Sequence, residues 1–373
     1  MYRTWVEISL SQIAANYRAL CEVAGPGVAV VPVVKADAYR HGALPVATRL
    51  QAEGAAWMAV SNSAEGVQLR LGGVSAGILV MGGFAPFERE SLAAANLTPV
   101  IHSLTRLREY DAFARGRGAV LPYHLKIDTG MGRLGTRASA SAILEAIHGA
   151  SSLRLEGLMT HFASPSDFAS SQTAGQVAAF EAVCGALAAQ GVRPPLLHLS
   201  SSAPVAFGLR HAFGSMVRPG LALYGYVSPP VGPAPPVVVE VKPALAWRAC
   251  VLEIKELAPG DPIGYGARWR ASRPSRIAVV AAGYADGVPH SLSNRGHALA
   301  AGRLVPLVGA VSMDLLTLDV TSCPELCPGA AVTLIGQDGD ARYDAEDMAR
   351  EAGIISYAVL CGIGHRVARV YVD

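Results

Sequence analysis

Between residues 28 and 225 the chain alternates short, unbroken apolar runs with longer stretches that mix apolar and polar positions. The runs are VAVVPVV (28–34), AWMAV (56–60), GILVM (77–81), LTPVI (97–101), LPYHLKI (121–127), LRLEGLMT (153–160), LLHLS (196–200) and MVRPGLALYG (216–225). Strands need this continuous pattern when both faces are covered, as in a parallel sheet with helical crossovers. Eight such units in succession predict an α/β fold, a closed N-terminal (β/α)8 barrel of the TIM type rather than an open sheet. After the Pro- and Gly-rich crossing SPPVGPAPPVVV (228–239) the texture changes to short strands such as ALAWRACVLEI (244–254), RIAVVAAGYADG (276–287) and AVTLIGQ (331–337), broken by turns. The expected organisation is a barrel over 1–235 and a smaller, mainly β domain over 236–373.

Composition narrows the class without changing this picture. Of 373 residues, 51% are apolar and 16% charged, with 39 Gly and 24 Pro spread along the chain, which excludes disorder and fibrous repeats. Lys and Arg number 31 against 29 acidic residues, well mixed, so nucleic acid is not an expected partner. The opening MYRTWVEISL carries Glu7 and no basic-then-apolar leader, and no stretch approaches about 18 uninterrupted apolar residues. The reading is a cytoplasmic protein with no membrane partner. Six cysteines (21, 184, 250, 323, 327 and 361) show no metal-ligand spacing, since Cys323 and Cys327 lack a second Cys/His pair nearby. Buried, reduced thiols are expected.

In a barrel of this kind chemistry gathers where strands end. Lys35 follows the first run, Lys126 and Asp128 close the fifth, His161 follows the sixth, Ser200 to Ser202 the seventh, and Arg218 lies in the eighth. A lysine at such a lip either snorkels to solvent or, partly desolvated, loses basicity and becomes suited to Schiff-base chemistry. Ser202 reads equally as a helix N-cap or as an anion donor at a helix start. Arg218 pairs with a surface carboxylate or serves a buried site, and His198 reads as a core histidine or as part of the same site.

The segment VKADAYRHG (34–42) resembles the pyridoxal-phosphate attachment motif of the alanine racemase family. Further matches follow in order: HLKIDTGMGRLG (124–135), GLMTHFA (157–163), HLSSSA (198–203), VRPGLALYG (217–225), IGYGARW (263–269), GYADG (283–287) and VSMD (311–314). The resemblance spans both halves of the chain. It implies that pyridoxal 5'-phosphate is the cofactor, that Lys35 holds it covalently, and that Tyr39, Ser202 and the amides of Gly220 and Leu221 receive its phosphate. Arg218 then faces the pyridine nitrogen, with His161 and His198 clustered around it. A guanidinium does not give up its proton, so that nitrogen stays unprotonated and the ring is a restrained electron sink.

Arg133 resembles the arginine that reaches the substrate carboxylate with its planar fork. Lys126 matches a position that is carbamylated in relatives; unmodified, it needs an anionic partner beside Arg133. Inversion of a stereocentre needs an acid/base on each face, and Tyr265 matches the opposite-face tyrosine, where the residues alone suggest only a turn aromatic. Met313 matches a residue whose backbone amide meets the substrate carboxylate, though it also reads as core filler; Tyr284 and Asp314 match the entrance. Tyr265 and Met313 come from the second subunit in the family, which implies a homodimer with shared sites.

Three positions depart from the family pattern: His365 stands where many relatives have a tyrosine, Ser201 where asparagine is common, and Arg40 where glycine is frequent. The expected activity is two-base interconversion of L- and D-alanine, supplying D-alanine for peptidoglycan. The alternative is a broader amino-acid racemase, accepting serine for example, on the same scaffold. A decarboxylase of this barrel type would place a glutamate where Arg218 stands, and a mere cofactor carrier would lack the second domain.

Overall fold

A computed structural model describes residues 2–373. The chain divides into two units, one of residues 12–38 and 43–242, the other of residues 1–11, 39–42 and 243–373. The second domain therefore takes more than the C-terminal segment expected at 236–373. The first strand, β1 (Thr4–Ile8), belongs to it and not to a barrel beginning at residue 1.

In the first unit, eight strands follow one another: β2 (Ala29–Val30), β3 (Trp57–Val60), β4 (Gly77–Val80), β5 (Thr98–Ile101), β6 (Leu121–Lys126), β7 (Leu153–Met159), β8 (Leu196–His198) and β9 (Met216–Val217). Strands β3 to β8 pair in parallel in that order, and β2 pairs with β9. Two sets of backbone bonds close the ring. Val34 and Ala59 link the β2 segment to β3 through Val34 N to Ala59 O and Ala59 N to Pro32 O, each 2.9 Å, while Arg218 N to Ser200 O and Ser215 N to Leu197 O, also 2.9 Å, link β9 to β8. The (β/α)8 barrel is thus formed. Its apolar runs are buried on both faces, as in β5, where all four residues are buried. Asn62, Ser103 and Ser139 start the helices 63–71, 104–116 and 140–149 by accepting the amides of Glu65, Arg106 and Ala142.

Register sets the height of the functional side chains. Lys126 pairs with Met159 and Met159 with His198, so these three stand at one level at the C-terminal ends of adjacent strands. The eighth run is shorter as a strand than its apolar pattern suggests. Pro219 offers no N–H, Gly220 turns away (φ −112°, ψ −83°), and Leu221–Tyr224 coil into a 3-10 turn.

Directly after Lys35 the chain makes an unusual turn. Residues 36 to 40, none of them glycine, have φ between 52° and 68°. Left-handed geometry costs a residue with a Cβ roughly 1 kcal/mol or more. Glu65 supports it by accepting the amide of Ala36 at 2.8 Å and that of Ser61 at 2.7 Å. Asp37 accepts the Ala43 amide at 2.7 Å.

The second unit is mainly β. Its long strand β10 (Leu245–Leu257) pairs antiparallel with β1, and β1 in turn pairs in parallel with the last strand of the chain, Ala368–Tyr371. A short hairpin of β11 (Pro262–Ile263) and β12 (Trp269–Arg270) carries Tyr265 in its loop. Among the six cysteines, all reduced, only Cys323 is buried and Cys327 is exposed, which corrects the expectation of uniform burial. No helix among the described residues is long and apolar enough to cross a membrane, and no group of His, Cys, Asp and Glu among them could hold a metal ion.

Candidate active site

The barrel gathers four of the expected residues around one cavity of about 270 Å³, lined by Lys35, Lys126, Arg133 and His161 together with Met159. Lys126 is only 3% exposed. It has no carboxylate partner among the described residues. Burial, followed by the charges of Arg218, Arg133 and Lys35, pushes its amine down to about 8. Arg133 rides on a loop built by Asp128, whose Oδ1 accepts the amides of Gly130, Met131 and Gly132 at 3.0–3.1 Å and whose Oδ2 accepts Arg137 Nε at 2.7 Å. Asp128, reactive by its place in the sequence, is a loop organiser. Arg133 itself makes no hydrogen bond or ion pair among the described residues.

Arg218 is 2% exposed and forms no ion pair with an acid among the described residues. Its Nη2 donates to the carbonyls of Thr160 (2.9 Å) and Leu199 (3.1 Å) and to His161 Nδ1 (3.3 Å), and its Nη1 donates to His198 Nδ1 (3.0 Å). A guanidinium only donates, so His198 Nδ1 must carry a lone pair and its proton lies on Nε2. That nitrogen is 2.7 Å from His124 Nδ1, which therefore accepts, leaving a buried Nε2–H on His124 with no partner. Burial and then the charge of Arg218 hold His124 and His161 down at about 3, and His198 is also well below its ordinary value. The relay is made of neutral rings with fixed tautomers. Gly157 on β7 makes room for it, because a Cβ there would stand 2.6 Å from His124 Nδ1. Burial lowers Arg218 to about 9, still charged at neutral pH.

Beside this cluster Ser202, the first residue of the short helix Ser202–Ala206, does not cap it; Ser201 occupies the cap position. Ser202 Oγ instead accepts the amides of Gly220 (2.9 Å) and Ala222 (3.1 Å). Among the described residues the Leu221 amide has no acceptor, nor has Arg218 Nε.

The remaining candidates belong to the β-rich unit. Tyr265 is 76% exposed at its hairpin tip, between Gly264 (φ 68°) and Gly266 (φ 70°), a geometry that glycine adopts without strain. Met313 is exposed, and its amide has no acceptor among the described residues, so core filler is excluded. Asp314 pairs with Arg366 Nη2 at 2.6 Å, and the same guanidinium holds the buried Asp286. Tyr39 is buried, its ring 6.0 Å from that of Tyr357.

Comparison with known proteins bears on what such an arrangement is for. Models of the alanine racemase N-terminal and C-terminal domains match residues 8–229 and 244–371. The chain belongs to the alanine racemase family. The alanine racemase of Halothermothrix orenii is 38% identical over 375 residues, covering 99% of this chain and 96% of that protein. The alanine racemase structure from Streptomyces coelicolor superposes with a TM-score of 0.93 at 31% identity, covering 100% and 98% of the two chains. That from Bartonella henselae, described with covalently bound pyridoxal phosphate, gives 0.89 at 27% identity, covering both chains fully.

The family's cofactor is pyridoxal 5'-phosphate, and the donor set here fits it. A lysine amine lines the cavity, and among the described residues Arg218 Nε and the Leu221 amide beside Gly220 have no acceptor. Sequence reading assigned no role to His124 or Glu65. His124 lies in a quoted motif, and its alternation with Lys126 along β6 is a signal; Glu65, on a helix face, offers none.

Proposed function

We propose that this protein is a cytoplasmic, homodimeric enzyme that interconverts L- and D-alanine with pyridoxal 5'-phosphate, supplying D-alanine for peptidoglycan. The observation that carries this reading is the barrel mouth: Lys35, Lys126 and Arg133 share one cavity with the neutral His161, and Arg218 beside it is held by neutral acceptors alone. When bound, the cofactor supplies an electron sink next to the substrate's Cα.

The chain's own residues do the rest. Lys35 anchors the cofactor and moves the Cα proton on one face. Tyr265 of a second subunit moves it on the other, because one amine does not reach both faces. Arg133, without a hydrogen-bond or ion-pair partner among the described residues, takes the substrate carboxylate with its fork, assisted by the amide of the second subunit's Met313. Arg218 would donate to the ring nitrogen without surrendering its proton, so the bound group would serve as a restrained electron sink. Ser202, Gly220, Leu221 and Tyr39 serve the phosphate. Lys126, amine-rich in its neutral form near pH 8, is set to take up carbon dioxide, and the resulting anion would supply the partner that Arg133 lacks.

Borohydride treatment of the cofactor-loaded protein, followed by peptide mapping, tests the anchor. The cofactor should be recovered on the peptide carrying Lys35; recovery on Lys126 would overturn the assignment.

A further inference from the structure

Gln176, which neither the motifs nor the proposed chemistry uses, is buried at the barrel mouth. It stands in the helix Gln172–Ala189 and is 2% exposed. Its Oε1 accepts the amide of Ala163 at 2.9 Å, and its Nε2 donates to the carbonyl of His161 at 3.0 Å and to Thr129 Oγ1 at 3.3 Å. A backbone N–H only donates and a carbonyl only accepts, so the orientation of the amide is fixed, with its oxygen and both of its N–H groups in use. An amide is costly to bury unless such bonds are made, and all of these reach segments outside its own helix.

The partners belong to two pieces of the barrel mouth. Thr129 opens the loop that carries Arg133, and Asp128 gives that loop its shape from within. His161 and Ala163 lie in the segment that leaves β7, where Thr160 Oγ1 also meets Thr129 Oγ1 at 2.7 Å. The Thr160 carbonyl in turn accepts Arg218 Nη2 at 2.9 Å. One buried side chain thus ties the base of the Arg133 loop to the segment that helps to hold Arg218. Bonds within the loop set its shape, and the Gln176 bonds set its distance from the segment after β7. Arg133 has no hydrogen bond or ion pair of its own among the described residues, so the backbone of its loop aims its fork.

We propose that Gln176 is a positioning residue for the substrate carboxylate, holding the Arg133 loop where the Arg133 fork meets that carboxylate. The proposal rests on the assignment of Arg133 above and adds a residue that touches neither substrate nor cofactor. Arg218 keeps its own acceptors on Thr160, Leu199, His161 and His198 whatever stands at position 176, so cofactor binding does not depend on Gln176.

Steady-state kinetics of the full-length, cofactor-loaded protein separate this role from packing. Gln176→Met keeps the length of the side chain and removes its hydrogen bonds. KM for L-alanine should rise about tenfold, and acetate, a bare carboxylate probe, should inhibit about tenfold less tightly. The kcat should stay as in wild type, the pattern of a lost binding interaction, and so should the affinity of cofactor-freed protein for pyridoxal 5'-phosphate. Thr129→Val should also raise KM, and the double variant should raise it no further than Gln176→Met alone, because both cut one link. Phe180→Leu, in the core on the same helix, should lower stability to denaturant and leave KM unchanged. Should Gln176→Met not fold, Thr129→Val leaves the helix untouched and carries the test. An unchanged KM in Gln176→Met, a rise that Phe180→Leu matches, or effects of the two link variants that multiply would each refute the positioning role. Arg133→Met tells the two claims apart. If it leaves KM and acetate inhibition unchanged, the assignment of Arg133 fails and the role of Gln176 with it; if it alters both while Gln176→Met alters neither, only the role of Gln176 fails.

Discussion

At the scale of single residues, burial and charge do most of the chemistry. Lys35, Lys126 and Arg218 are legible in the sequence because each follows or closes an apolar run, where a barrel places its reactive groups. The partner of His198 is not legible, since His124 lies 74 residues away and only the adjacency of β6, β7 and β8 brings the rings together. Tyr265 stands in a glycine-flanked turn that the residues alone do not distinguish from any other. Lys126 gives the sharpest prediction here. Its folded value of about 8 lies below the ordinary 10.5, so between those values the unfolded chain binds more protons than the folded one. Stability should therefore rise as pH increases through this window, and the full cost, roughly 3 kcal/mol, should be present below pH 8. In buffer free of carbon dioxide, cofactor-free Lys126→Met should be more stable than wild type at pH 7 in denaturant unfolding, and the gap should narrow as pH approaches 10. A gap that does not change with pH would remove the buried-amine explanation.

At the scale of elements, the eight apolar runs correspond to the eight barrel strands because continuous burial leaves its pattern in every one. Two elements were hidden for physical reasons. The segment KADAY contains no glycine and so gives no signal of a left-handed turn, yet residues 36 to 40 are left-handed, supported by Glu65 and Asp37. Strand β1 finds its partners β10 and Ala368–Tyr371 more than two hundred residues away, so its place in the second unit has no local signal. Glu65 ties the start of the left-handed turn to the end of β3. Glu65→Ala should leave the amides of Ala36 and Ser61 without an acceptor and destabilise the protein by about 1–3 kcal/mol in denaturant unfolding. It should also raise the cofactor concentration needed for half saturation, because Lys35 precedes the loosened turn. Normal stability with normal cofactor affinity would show that the turn does not depend on Glu65.

At the scale of the whole molecule, the two units carry different parts of the proposed machinery. The barrel holds a cationic cavity and an arginine surrounded by neutral acceptors, which suits a restrained electron sink, while the β-rich unit presents Tyr265 and the Met313 amide at its surface. Exposure of a tyrosine and an unpaired amide on one unit fits their use by a second copy of the chain. The comparisons favour alanine over the broader reading, since the relatives that match along the whole length are named alanine racemases.

Circular dichroism of alanine, followed with cofactor-loaded protein and started separately from the L and the D enantiomer, tests the central claim most directly. Both signals should decay to zero. Lys35→Ala and Tyr265→Ala should each be silent, and a mixture of the two under subunit exchange should recover part of the rate, because a mixed dimer keeps one intact site. A signal from either enantiomer that persists with loaded wild-type protein would contradict racemisation, and an unrestored mixture with verified exchange would contradict the shared site.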